Sequence, residues 1–181
     1  MFQWKGKYLL VPTSCGGGNA WRCETTHIFM ISNDRLLKVG EGVLDTIDKN
    51  GYGQFHDFYD KYESNDLTCH ADAPGFTLYM FESNGTLKVD LNETWENNQN
   101  VYQEYRNTLD TLAKQSDAKS VDDLAKLRPI VYNSVLCRYC QKQDEMVHWN
   151  IVANMILEND LKVKLDKLLS SVVPGEIPWI R

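Results

Sequence analysis

The sequence predicts an α+β fold, in which N-terminal antiparallel β-hairpins form a meander sheet and a C-terminal helical half packs on it. Two observations carry this. Up to residue 91, short runs rich in β-branched and aromatic residues are separated by Gly, Asn and Asp clusters, as in strands joined by turns. After residue 93 the apolar period changes from two to about 3.6, as in helices with one buried face. Strands first and helices afterwards distinguish this pattern from an alternating α/β chain. The 181 residues, 43% hydrophobic and 24% charged, can build their own core. The expectation is a single domain, strand-rich over 1–91 and helical over 93–171, with an extended tail over 172–181.

Lys7 to Val11 and Thr26 to Ser32 are the first strands. Asn33-Asp34 turns the second into Arg35 to Val39, because both residue types tolerate the left-handed backbone of a tight hairpin. The sharpest hairpin signal is Phe76 to Glu82, Ser83-Asn84-Gly85, then Thr86 to Leu91. Phe76, Leu78 and Met80 alternate with polar positions, as do Leu87, Val89 and Leu91, so both strands can cover one core while Lys88 and Asp90 face water.

A helix follows from about Glu93 to Lys114, with Trp95, Tyr102, Tyr105, Leu109 and Leu112 inward and Glu96, Glu104, Arg106 and Asp110 in solvent. Ser120 followed by Asp123 resembles a helix start, and Pro129 should end or kink what begins there. Ile130 to Gln141 and Glu145 to Glu158 are helices apolar nearly all round, which predicts cover on more than one side. Asp160 to Leu169 is a short amphipathic helix with Leu161, Leu165, Leu168 and Leu169 inward. Pro174 and Pro178 predict an extended tail.

Nineteen Lys and Arg against 25 Asp and Glu give a net charge of −6 and a pI near 5.2, which opposes nucleic acid and anionic lipid at long range. No apolar run approaches the roughly 18 residues a membrane span requires. The segment from Tyr8 to Pro12 is too short for a signal-peptide core, so the chain is either intracellular or begins after a removed leader. The cysteines favour export. Cys15 and Cys23 bracket a loop with three glycines, and a disulfide across so short a loop would contribute about 2.5 kcal/mol. Trp21 in that loop and Trp179 in the tail are then the aromatics expected at the surface, as anchors for a partner protein.

Residues 48–59 resemble a degenerate EF-hand-type calcium loop, and also the shorter calcium loops that join strands in bacterial extracellular proteins. Asp48 and Asn50 stand at loop positions one and three, Gly53 at six and Phe55 at eight. Tyr52 and Tyr59 replace the oxygen ligands of positions five and twelve. The resemblance therefore implies Ca2+ held by Asp48, Asn50 and Asp57, with Asp45 or Asp60 and water completing the shell. The alternative is a plain Asx turn.

Two enzymatic readings compete with a contact protein. Cys137-Arg138-Tyr139-Cys140 has the spacing of a redox or zinc pair, with Cys69 as a candidate disulfide partner for one of the two. Cys15 before its glycines could be a thiol nucleophile with His27, His56, His70 or His148 as base. The chain contains neither a Gly-x-Ser-x-Gly elbow, nor a His-Glu-x-x-His pair, nor a Walker glycine-lysine loop. The expectation is a periplasmic or secreted protein that acts by protein contact, an inhibitor being one such case, with no catalytic residue and one cation at most. A thiol-dependent enzyme, or a cytoplasmic location, is the alternative.

Overall fold

Among the described residues, seven antiparallel strands lie in one sheet in the order of the chain. They are β1 (Phe2–Trp4), β2 (Tyr8–Ser14), β3 (Glu24–Ser32), β4 (Arg35–Ile47), β5 (Gly53–His56), β6 (Leu78–Ser83) and β7 (Thr86–Val89). Five helices follow among the described residues, α1 (Leu91–Asn97), α2 (Gln99–Ala113), α3 (Asp123–Tyr139), α4 (Gln143–Ile156) and α5 (Asn159–Ser171), which makes the fold α+β. The computed structural model describes residues 1–14, 24–56, 76–84, 86–114 and 123–177. It divides into a sheet unit (Met1–Asp57, Thr77–Asp90, Glu176–Arg181) and a helical unit (Phe58–Phe76, Leu91–Gly175).

In the sheet unit the turns follow local chemistry. Asn33 and Asp34 both have positive φ, 48° and 60°, the requirement of a two-residue type I′ turn, and they close the Ser32–Arg35 pair. Asn84, next to the Ser83–Thr86 pair, also has positive φ, 52°. Alternation sets the faces: Tyr8, Leu10, Ile28, Phe55, Leu78 and Met80 are buried. Pro12 is accommodated because β1 covers β2 only from Tyr8 to Leu10, so the edge beyond needs no donor.

The expected strand Arg35 to Val39 is longer than local signals indicate. It runs on through Gly40 and Gly42, which pair with Ile28 and Thr26 of β3. Its last stretch then pairs with β5, from Val43–His56 to Ile47–Gly53. Cross-strand bonding holds glycines that propensity alone would place in a turn.

The helical unit departs from expectation in several places, beginning with Leu91, which is expected at the end of a strand and instead opens α1. The predicted helix from Glu93 to Lys114 is two helices, broken at Asn98 (φ −100°, ψ 3°). Asn98 is buried, donates Nδ2 to the Thr94 carbonyl (2.6 Å) and accepts from the Tyr132 hydroxyl (3.2 Å). An Asn satisfied in this way competes with the helix ladder.

Pro129 neither ends nor begins a helix but lies inside α3. Ile130, Val131, Tyr132, Val135, Leu136 and Cys137 after it are all buried, and that packing outweighs the lost backbone bond. Arg106 and Asp110, expected in solvent, are half-buried. α3 is covered nearly all round as expected, whereas α4 is not: Val147, Ile151 and Met155 are exposed.

The chain leaves α5 through a turn at Pro174-Gly175, where Gly175 has φ 69°, and Pro178 lies outside the described residues. No helix among the described residues is long and apolar enough to cross a membrane.

Candidate functional site

Within the helical unit, α4 is held by two residues one turn apart, Glu145 and Trp149, against two residues one turn apart on α2, Tyr102 and Arg106. The Arg106 guanidinium donates to Glu145 Oε2 at 2.9 Å, and the Tyr102 hydroxyl donates to the same oxygen. Trp149 Nε1 donates to the Tyr102 hydroxyl at 3.0 Å, and the two rings meet edge to face. Trp95 also packs against Tyr102, its ring tilted by 57° with 5.0 Å between centroids. Asn133 of α3 donates to the Tyr102 carbonyl (3.1 Å). Burial, then the bond to Glu145, holds the Tyr102 hydroxyl well above the usual phenol range. Tyr102 thus stays protonated, and its proton is committed to Glu145.

This geometry sets the rotation of α4. At about 100° per residue, Glu145, Trp149, Val152 and Ile156 share one side, the last three of them buried. Val147, Ile151 and Met155, at spacing four, lie on the other, with exposures of 52%, 56% and 60%. Three large apolar side chains in register on a packed helix form the most pronounced exposed apolar stripe among the described residues. The β3–β4 hairpin carries a smaller one, Ile31 opposite Leu36 with Leu37 beside it.

Cys137 and Cys140 are free thiols, both buried. Cys140 caps α3: Lys142 N–H bonds the Cys137 carbonyl (2.8 Å), Gln141 N–H bonds that of Arg138 (3.3 Å), and Gln141 has φ 58°, which is a Schellman ending. The pair therefore sits at the negative end of a helix dipole, opposite to the location that activates a thiol. Burial pushes both thiols up to about 12. Against an ordinary value of 9.0 this cuts the thiolate population about a thousandfold. In native protein at neutral pH, iodoacetamide should therefore modify Cys137 and Cys140 about a thousandfold more slowly than in urea-unfolded protein. Peptide mass mapping checks this; comparable rates would show that the pair is accessible and ionised.

The histidines proposed as bases are scattered. His27 Nδ1 lies 3.2 Å from Glu41 Oε2, with Thr13 3.5 Å from its other nitrogen, and Lys38, then His27, holds the Glu41 carboxyl below its usual range. Thr13, His27 and Glu41 sit on the adjacent strands β2, β3 and β4 of the sheet unit, whereas both described cysteines belong to the helical unit. His148 belongs to α4, 3.7 Å from Asp110, and its buried Nε2 makes no hydrogen bond. The side chain of His56, and His70 entirely, lie outside the described residues. So do Cys15, Cys23, Cys69, Trp21 and Trp179.

The segment read as a calcium loop joins β4 to β5. Asp48 Oδ1 accepts from the backbone N–H of Asn50 (2.8 Å) and of Tyr52 (3.0 Å), which is an Asx turn. The positive φ falls at Gly51 (+81°) rather than at Gly53, and Phe55 is fully buried. Tyr52 donates its hydroxyl to Asp90 (3.2 Å). Asp57, Tyr59 and Asp60, and the side chain of Asp45, lie outside the described residues. No group of three or more His, Cys, Asp or Glu side chains among the described residues is placed to hold a metal.

Sequence reasoning missed Val147, Ile151 and Met155 as surface residues. Their spacing of four was visible, but so was a second apolar stripe on the same helix, and the two together read as a helix covered twice. The Arg106–Glu145 pair is 39 residues apart, beyond the reach of any local pattern. No family model, curated protein or solved structure matches this chain.

Proposed function

We propose that this chain is an exported protein, periplasmic or secreted, that acts by contact with another protein and carries no catalytic centre. The observation that supports the reading is the α4 stripe. Val147, Ile151 and Met155 are each more than half exposed, while the opposite side of the same helix is pinned by Tyr102 and Arg106. Isolated exposed apolar residues are ordinary, whereas a contiguous rigid stripe marks an interaction site. The protonated, buried Cys137 and Cys140 argue against a thiol enzyme built on that pair.

The test places photocrosslinking benzoylphenylalanine at position 151 or, as a control, at the exposed position 167, in cells that naturally make the protein. An adduct of defined mass from 151 and none from 167 is expected. Equal adducts from both positions, or none from 151, would overturn the reading.

Export and the cation belong to the same proposal and have their own tests. Thiol counting on unfolded protein should find fewer than the five cysteines of the chain until a reductant is added, as a Cys15–Cys23 bridge requires; five free thiols at the outset would remove the argument for export. If Asp48, Asn50 and Asp57 hold Ca2+, calcium should raise the melting midpoint relative to chelator, because a ligand bound only by the folded chain stabilises it. An unchanged midpoint at millimolar calcium would leave the Asx turn as the whole account of the loop.

A further inference from the structure

We infer that the occupant of the α4 face is a basic amphipathic helix of a partner protein. This rests on the contact reading above and names its partner class. From Gln143 to Leu161 the sequence contains no Lys or Arg but four carboxylates, Asp144, Glu145, Glu158 and Asp160. Glu145 is neutralised by Arg106 at 2.9 Å. The other three are exposed, with Asp144 at one end of the apolar stripe and Glu158 and Asp160 at the other. The nearest cations in sequence are partly withdrawn, since Lys142 lies over the Trp95 ring, 5.2 Å from its centroid, and Lys162 is half-buried.

The shape fits a helix. Val147, Ile151 and Met155 form a ridge at spacing four, which packs into the groove of another helix, and eight residues of rise make it about 12 Å long. Beyond Met155 the stripe opens into a cleft of ≈ 540 Å³ at the α4–α5 junction, where Met155 shares the walls with Glu158, Asp160, Lys162 and the buried Lys126. A partner helix with apolar residues at spacing three and four, flanked by Lys or Arg, would cover the ridge and bring cations to carboxylates at both ends.

Charge argues against a second copy of this chain. Antiparallel self-pairing about Ile151 sets Asp144 of one molecule against Glu158 of the other, and parallel pairing sets Asp144 against Asp144. Like charges meet either way.

The experiment measures fluorescence anisotropy of a labelled 18-residue Leu/Lys amphipathic peptide titrated with the full chain. Its controls are a peptide with Glu in place of Lys and a scrambled Leu/Lys peptide without the apolar stripe. The Leu/Lys peptide should bind at least about tenfold more tightly than either control. Val147→Ser with Ile151→Ser should weaken it about tenfold while leaving the melting midpoint unchanged, since both side chains are exposed. Asp144→Lys with Glu158→Lys should erase the preference for Lys over Glu at low salt, and about 0.5 M salt should do the same to the wild-type chain.

Equal binding of scrambled and patterned peptides, or binding indifferent to both double variants, overturns the inference. So does a concentration-dependent dimer, seen by sedimentation, that Val147→Ser with Ile151→Ser dissolves. An adduct at residue 151 together with failure of this peptide refutes the basic helix alone, whereas failure of both removes the contact reading itself.

Discussion

Replacing Trp149 by Ala is expected to destabilise the chain by about 3–5 kcal/mol, the range for deleting a large aromatic from a core that cannot collapse around the gap. Trp149 is fully buried on α4, with its indole N–H on the Tyr102 hydroxyl and its ring edge to face with Tyr102. The loss should be read from the urea midpoint at constant m-value. Tyr102→Phe should cost less, about 1–3 kcal/mol, because it strands the Trp149 donor and removes one of the two donors to Glu145 without opening a large cavity. Trp149→Phe leaves the Tyr102 hydroxyl without one donor. The double variant of Tyr102→Phe and Trp149→Phe should therefore be less than additive, since the two share a hydrogen bond. A Trp149→Ala cost under about 1.5 kcal/mol would mean that α4 is not clamped as described. The rotation that presents Val147, Ile151 and Met155 would then lose its physical cause.

Gly53→Ala is expected to destabilise the sheet unit by about 1–3 kcal/mol through overpacking. A Cβ at Gly53 would fall 2.7 Å from Phe55 Cε2 and 3.2 Å from the Trp4 ring. Neither ring has room to move. Phe55 is 0% exposed and Trp4 2%, and the Trp4 indole is tied to the Gly51 carbonyl at 2.9 Å.

Two residues away, Gly51 is needed for a different reason, its φ of +81°, and a Cβ there meets only the flexible end of Lys5. Asn accepts a left-handed backbone better than Ala. Gly51→Asn should thus be milder than Gly51→Ala, while Gly53→Asn should be at least as harmful as Gly53→Ala. Thermal melts of the four variants separate space from backbone conformation. Rescue by Asn at both positions would show that Gly53 too is required for its conformation.

Local chemistry made the hairpins readable. Asn33-Asp34 and Asn84 carry the positive φ that their turns demand, and alternation placed Leu78 and Met80 in the core. The amphipathic period of α5 placed Leu165, Leu168 and Leu169 inward in the same way. The helix break at Asn98 and the passage of α3 through Pro129 were not readable. The first depends on a hydroxyl from Tyr132, 34 residues away, and the second on burial of the following turns.

The candidate site divides along the same line. Residue types and spacings along the chain suffice for the α+β order of elements, the net negative charge, the Lys- and Arg-free stretch across α4 and the stripe at spacing four. Which side of α4 meets the core was decided in three dimensions. A helix with two apolar sides can bury either one, and the choice falls to whichever side also satisfies its polar neighbours. Here Glu145 and Trp149 find Arg106 and Tyr102, so Val147, Ile151 and Met155 are left facing water.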